Sequence, residues 1–248
     1  SEFVFNNIFF CITLTTITSC SSSSENDTEI MEEEEEEEEE EVNTCLSCQI
    51  FNEKDGIVRV DLVNPSTTDN GWASGTSLSG FEGAGYLIWT DSDSFSNPGQ
   101  GEMKFSIKIT TTGVYQFVWK SRIGKGDSST EHNDSWLKIN GEDFYGEKAS
   151  TGDRVYPKGS GKTPNPEGAS KDGWLKNYMN NKTVWLWRSN TNDKDPFNIF
   201  VKFDKEGIYD VQISGRSNSH AIDQFVLFRT DKSLTVAQNA ALSEITIK

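Results

Sequence analysis

Two groups of side chains have the types and spacing that recognition chemistry requires. Arg122, the run Glu131-His132-Asn133-Asp134, and later Arg216, Asn218 and His220 supply guanidinium, carboxylate, amide and imidazole groups at three places in the chain. Fixed donors and acceptors of this mix suit a hydroxyl-rich ligand. The second group lies between residues 154 and 182. Trp174 and Tyr178 share that stretch with Arg154, Lys158, Lys162, Lys171, Lys176 and Lys182, opposed by Glu167 and Asp172, a net of +4. Flat rings stack on apolar faces, and cations read hydroxyls or anionic substituents. Trp187-Arg188 repeats the pairing further on. The runs Asp91-x-Asp93-x-x-x-Asn97 and Asn190-x-Asn192-Asp193-x-Asp195 offer oxygen donors, but without a ligand register they read as Asx turns.

Other chemistries lack a frame. Gly161-Lys162-Thr163 imitates the end of a phosphate loop, yet its leading glycine would fall at Tyr156. There is no G-x-S-x-G elbow. Two histidines, His132 and His220, are too few for most histidine-based metal centres. Strand interiors offer Asp61, Asp210 and Asp223, no clear facing pair for glycoside hydrolysis. The expectation is therefore capture without catalysis. A glycosidase or lyase is the weaker alternative, and a protein-binding adhesion or scaffold protein the runner-up.

These residues must be positioned by strands. Short β-branched and aromatic runs near 57–63, 85–89, 102–110, 114–121, 135–139, 184–187, 198–203, 208–214 and 221–228 are separated by Gly, Asn, Asp and Ser. Alternation is plain in Phe105/Ile107/Ile109, Tyr115/Phe117/Trp119 and Tyr209/Val211/Ile213. About nine strands and no sustained helical period predict an all-β chain, a single jelly-roll sandwich over 45–248. Trp119, Trp136 and Trp185 are expected in the core. Residues 141–183 read as one long loop, and such loops are usually functional or disordered. That places Trp174 and Tyr178 on an exposed segment.

Charge separates the body from a tail. The 248 residues carry 39 acids and 23 bases, a net of −16. Residues 1–44 hold 14 of the acids and no base, leaving 25 acids against 23 bases, a net of −2. No basic footprint for nucleic acid exists. The apolar run 8–17 followed by Thr18-Ser19-Cys20 fits a secretory signal over 1–20, although the usual basic leader is missing. Residues 21–44, with ten consecutive glutamates from Glu32 to Glu41, cannot bury a core and read as a disordered acidic linker. Cys45-x-x-Cys48 supplies only two of four zinc ligands, and a local disulfide is expected in an exported protein.

Ile17-Thr18-Ser19-Cys20 resembles a bacterial lipobox, which implies lipidation of Cys20 and anchoring at the outer membrane. The acidic stretch behind it resembles the surface-export signal of lipoproteins in Bacteroidetes-type bacteria. Val58-Arg59-Val60-Asp61, Gly83-x-Gly85-Tyr86, Gly113-Val114-Tyr115 and His220-Ala221-Ile222-Asp223-Gln224-Phe225 resemble carbohydrate-binding module families 6 and 35. The runs 119–125, 131–137 and 214–220 resemble ancillary domains of polysaccharide-degrading systems in marine bacteria. The resemblance implies a β-sandwich that binds a polysaccharide through loops at one end. It also implies a structural Ca²⁺ between Asp61 and Asp223, although Val63 replaces the second acid of the usual first-strand pair. The expected ligand residues are Arg122, His132, Asn133, Asp134, Trp174, Tyr178, Trp187, Arg216, Asn218 and His220. The +4 segment adds the expectation of an anionic, marine-type polysaccharide, and the domain is expected to be a monomer.

Overall fold

The computed structural model describes residues 46–63 and 70–248. The expected signal, Cys20, the acidic linker and Cys45 lie outside the described residues. After a 3-10 turn at Leu46–Cys48 come β1 (Gln49–Asn52), β2 (Ile57–Asp61), β3 (Trp72–Gly75), β4 (Tyr86–Trp89), β5 (Met103–Ile109) and β6 (Gly113–Ile123). Then follow β7 (Asp134–Ile139), β8 (Asp143–Glu147), β9 (Arg154–Val155), β10 (Ser170–Lys171), β11 (Trp174–Tyr178) and β12 (Leu186–Trp187). The chain closes with β13 (Asn198–Phe203), β14 (Gly207–Ser214), β15 (His220–Arg229), the short helix α1 (Leu234–Gln238) and β16 (Ile245–Ile247).

Two sheets hold these strands. One runs β10-β11-β7-β14-β5-β1-β16, and the other β3-β4-β15-β6-β13-β8-β9, with β12 joined to β6 and β2 to β15. The protein is an all-β sandwich. Period-2 alternation builds it: on β5, Met103, Phe105, Ile107 and Ile109 are buried while Lys104 and Lys108 are exposed. Between the sheets Phe105 meets Phe225 edge-on at 5.4 Å, and Phe225 meets Phe117 at 5.4 Å. Each buried phenylalanine of this kind stabilises the fold by about 1.5–3 kcal/mol.

All nine expected strand regions contain a strand. The stretch 141–183 departs from expectation, because β8, β9, β10 and β11 run through it. β8 pairs with β13, and β11 lies between β10 and β7 inside the seven-stranded sheet. The alternation of β11 is hidden in the sequence because one inward position is polar. Asn177 is fully buried and donates to Ser189 Oγ at 3.1 Å. A strand whose inward positions are Leu175 and Asn177 leaves no apolar period to read.

Candidate functional site

Three neighbouring strands of the seven-stranded sheet end at the same height. Asp134 opens β7 opposite Tyr178 at the end of β11, and Trp136 lies opposite Lys176 on one side and Ser214 on the other. Alternation turns Asp134, Trp136, Lys176 and Tyr178 to the face opposite the core residues Leu137 and Ile139. Segments 90–97, 124–133 and 215–219 fold over this end.

Buried ionic and polar contacts fix these segments. Asp134 accepts from Arg216 Nη1 at 2.5 Å and from Ser217 Oγ at 2.5 Å. The Arg216 guanidinium lies between the rings of Phe95, 4.9 Å away, and Trp136, 5.2 Å away. Asn218 donates to the carbonyls of Thr90 and Asp91, and its own N–H reaches Asp93 Oδ1 at 2.8 Å. His132 Nδ1 lies 2.5 Å from the carbonyl oxygen of Asn218. His132 and Ser219 hold left-handed backbone (φ 54° and 64°), a conformation that persists only where neighbours enforce it. Gly215 is required sterically: a Cβ there would lie 2.2 Å from the buried Trp89 ring.

Two hollows, of about 400 and about 570 Å³, share Thr130, Asp134 and Lys176 as a common wall. A third, of about 500 Å³, meets the second at Phe95. Each falls in the range of about 300–1,000 Å³ usual for small-ligand sites. Tyr178, Arg188 and Asn180 line the first, while Lys158 and Lys171 line the third. Phe95 is 51% exposed, a flat apolar face beside a buried cation. Burial and the nearby Asp193 carboxylate push the Tyr178 hydroxyl up to about 12, so it remains a neutral donor, bonded to the Asn192 carbonyl at 2.9 Å.

The structure therefore brings His132, Asn133, Asp134, Tyr178, Arg216 and Asn218 to one end. It places the other expected residues elsewhere. Trp174 is buried in β11, with Lys138 Nζ 6.0 Å from its ring, so it is no exposed platform. Trp187 packs against the small cluster of Ile57, Val118, Val226, Phe228 and Ala237, with Arg59 over its ring. Arg122 lies over the half-buried Trp185, which was expected in the core, and bonds the Ser79 carbonyl. His220 is fully buried against Trp119, its Nδ1 2.8 Å from Ser135 Oγ. Burial pushes its imidazole down to about 3, so it is neutral and structural. Arg188, read beside Trp187, lines the first hollow although Trp187 does not. Phe95 went unread, although an aromatic alone in the polar run 91–97 was a signal of the kind applied to Trp174.

The excess charge of 154–182 is largely met locally. Lys162 pairs with Asp143 at 2.8 Å, Arg154 with Glu147 at 2.7 Å, and Lys176 with Asp193. The oxygen-rich loops are likewise spent on internal contacts. Asp91 Oδ1 accepts from the N–H of Ser92, Asn192 Oδ1 from that of Glu167, and Asp195 pairs with Lys148.

Asp61 and Asp223 lie together, and burial with the neighbouring Asp223 charge raises Asp61 to about 6. Burial likewise raises Asp223, whose Oδ1 is buried without a hydrogen-bond partner among the described residues. The donor set does not fit a divalent cation, because the Lys120 ammonium stands 2.9 Å from Asp223 Oδ2. Among the described residues no group of three or more His, Cys, Asp or Glu is placed to hold a metal ion.

No protein-family model matches the chain, and no curated protein sequence matches it. Among solved structures it is similar to a Podospora anserina GH26-CBM35 β-(1,4)-mannanase, with TM-score 0.40 and 14% identity over 73% of this chain. It is also similar to a Paenibacillus cycloisomaltooligosaccharide glucanotransferase complexed with cycloisomaltoheptaose (0.40, 14%, 71%). An Arthrobacter globiformis isomalto-dextranase complexed with panose follows (0.39, 14%, 69%). The chain spans 29%, 19% and 23% of the lengths of those three proteins.

Proposed function

We propose that this protein binds a polysaccharide, without cleaving it, in the cleft across the end of β7, β11 and β14. The observation that carries the reading is the three hollows lying side by side along this end, with the exposed Phe95 ring lining two of them. Sugar rings have apolar C–H faces and polar edges. Phe95 suits the former, and Arg188, Asn133, Asn180, Lys158 and Lys171 the latter. A row of adjacent hollows suits an internal stretch of chain better than a single terminal sugar.

Two of the cleft acids, both already paired, support capture. Asp134 is committed to Arg216 and Ser217, and Asp193 to Lys176. Hydrolysis would instead need two carboxylates facing each other across the scissile bond. An anionic preference rests on Lys158 and Lys171, since Lys162 and Lys176 are neutralised by partners. The lipobox-like run ending at Cys20 and the glutamate tract support display on the outer membrane.

Affinity electrophoresis against a panel of neutral, uronate-containing and sulfated polysaccharides tests the reading. Retardation on at least one acidic polysaccharide, abolished in Phe95→Ala and without release of reducing ends or unsaturated products, is the expected result. Absence of retardation on every polysaccharide would overturn it.

A further inference from the structure

Away from the cleft, one buried cation has an oxygen for every proton it can donate. Lys120 lies on β6 with its side chain 9% exposed. Its Nζ stands 3.1 Å from the Gly80 carbonyl, 2.9 Å from Glu82 Oε1 and 2.9 Å from Asp223 Oδ2. An ammonium has three N–H donors, and three acceptors surround this one. The acceptors come from separate places: Gly80 and Glu82 from the segment between β3 and β4, Asp223 from β15.

The backbone is shaped to deliver Asp223 to this point. The pairing of β15 with β6 shifts register between Ile222 and Gln224, so Asp223 is the extra residue of a bulge. A bulge re-aims a side chain that regular alternation would send elsewhere. Asp223 Oδ2 also accepts the N–H of Glu82 at 2.9 Å. Glu82 is held in turn by Arg59 Nη2 at 2.5 Å, and burial, which would raise its carboxyl, is outweighed by Lys120 and Arg59, which hold it below its usual range. Two fixed cations thus face Asp61, Glu82 and Asp223.

We infer that the Lys120 ammonium is a built-in replacement for a structural divalent cation, clamping the segment around Gly80–Glu82 onto β6 and β15. A Ca²⁺ ion takes six to eight oxygens at about 2.3–2.6 Å. Here it would have to displace an ammonium from Asp223 and settle between that charge and the Arg59 guanidinium. An ion supplied from solution stabilises by an amount that grows with the logarithm of its concentration once above its Kd, whereas a tethered ammonium does so whatever the ion concentration. The fold therefore does not depend on calcium at Asp61 and Asp223.

Thermal unfolding of the full chain in EDTA and in millimolar CaCl₂ tests this, alongside Lys120→Met and Lys120→Gln. The unaltered chain should melt at the same temperature in both. Each variant should melt roughly 6–20 °C lower in EDTA, the loss expected when a buried charge loses its partner, and should recover part of that loss in CaCl₂ as the emptied oxygens accept the ion. A fall in the melting temperature of the unaltered chain in EDTA would overturn the inference. So would a folded variant that melts like the unaltered chain, or one that gains no response to CaCl₂. If neither variant folds, the comparison on the unaltered chain decides.

Discussion

Replacing Asp134 by Asn keeps the shape of the side chain and removes one acceptor, which makes it a sharp probe of how the cleft is held. Asp134 now gives one oxygen to Arg216 and the other to Ser217, each at 2.5 Å. An amide has a single oxygen, so one of the two donors must face an NH₂ group. Arg216 is the worse placed to lose a partner. Its Nε is buried without a hydrogen bond among the described residues, and its guanidinium is enclosed by Phe95 and Trp136. Breaking a buried ion pair by neutralising one partner costs about 3–5 kcal/mol. The two side chains are 9% and 11% exposed, so the lower end, about 3 kcal/mol, applies here. With urea m-values of about 1–3 kcal/mol per molar, the unfolding midpoint should fall by roughly 1–3 M at unchanged m. Arg216→Met in the same chain removes the stranded charge, so the double variant should be more stable than the sum of the single losses predicts. A loss below about 1 kcal/mol in Asp134→Asn would refute the buried-pair reasoning, as would strict additivity in the double variant.

Further expectations concern other parts of the molecule. His220 stays neutral in the fold down to about 3, while the unfolded chain takes up its proton near 6.5. Between those values the unfolded state binds more protons, so stability should fall as pH drops, by up to about 1.4 kcal/mol per unit. Asp61, raised to about 6, works in the opposite direction between its ordinary value and 6. The difference in urea stability between the parent and His220→Asn across pH 3.5–7 isolates the imidazole, and a difference that does not change with pH would count against it. Gly215→Ala should destabilise by about 1–3 kcal/mol, because the new methyl meets the Trp89 ring; calorimetry showing no loss would contradict that packing. Binding to an acidic polysaccharide should weaken as salt rises, and Lys158→Ala with Lys171→Ala should flatten that dependence in affinity electrophoresis. Cys20→Ala should release the protein from the membrane fraction on cell fractionation.

Legibility followed apolar alternation. β5, β6 and β14 could be read from Phe105/Ile107/Ile109, Tyr115/Phe117/Trp119 and Tyr209/Val211/Ile213, because an apolar residue stood at each of these alternate positions. β11 could not, since Asn177 satisfies its burial by a hydrogen bond that the sequence does not display. The error at Trp174 followed from that one: a tryptophan assigned to a loop is taken as exposed, and the same tryptophan in a strand is packed. The polar runs at 131–134 and 216–218, separate in the chain, come together in the fold at one end of the sandwich. Phe95 was missed, because its partner there, Arg216, is distant in sequence. His220 and Arg122 were misassigned, because a strand-end position does not reveal which way a side chain turns.

The walls of the cleft are tied to one another and not to solvent. Asn218 is fastened to segment 90–93, His132 to Asn218, and Asp134 to both Arg216 and Ser217. Much of the ordering entropy that a mobile loop surrenders on meeting its ligand has therefore already been spent in folding. Preorganisation of this kind makes association a docking step without a conformational one. If the cleft binds the proposed polysaccharide, differences in affinity between related glycans would lie mainly in how fast they leave. It would also limit tolerance: a sugar chain whose hydroxyls point the wrong way would meet donors that cannot turn to follow it, so selectivity would come from rigidity as much as from the groups displayed.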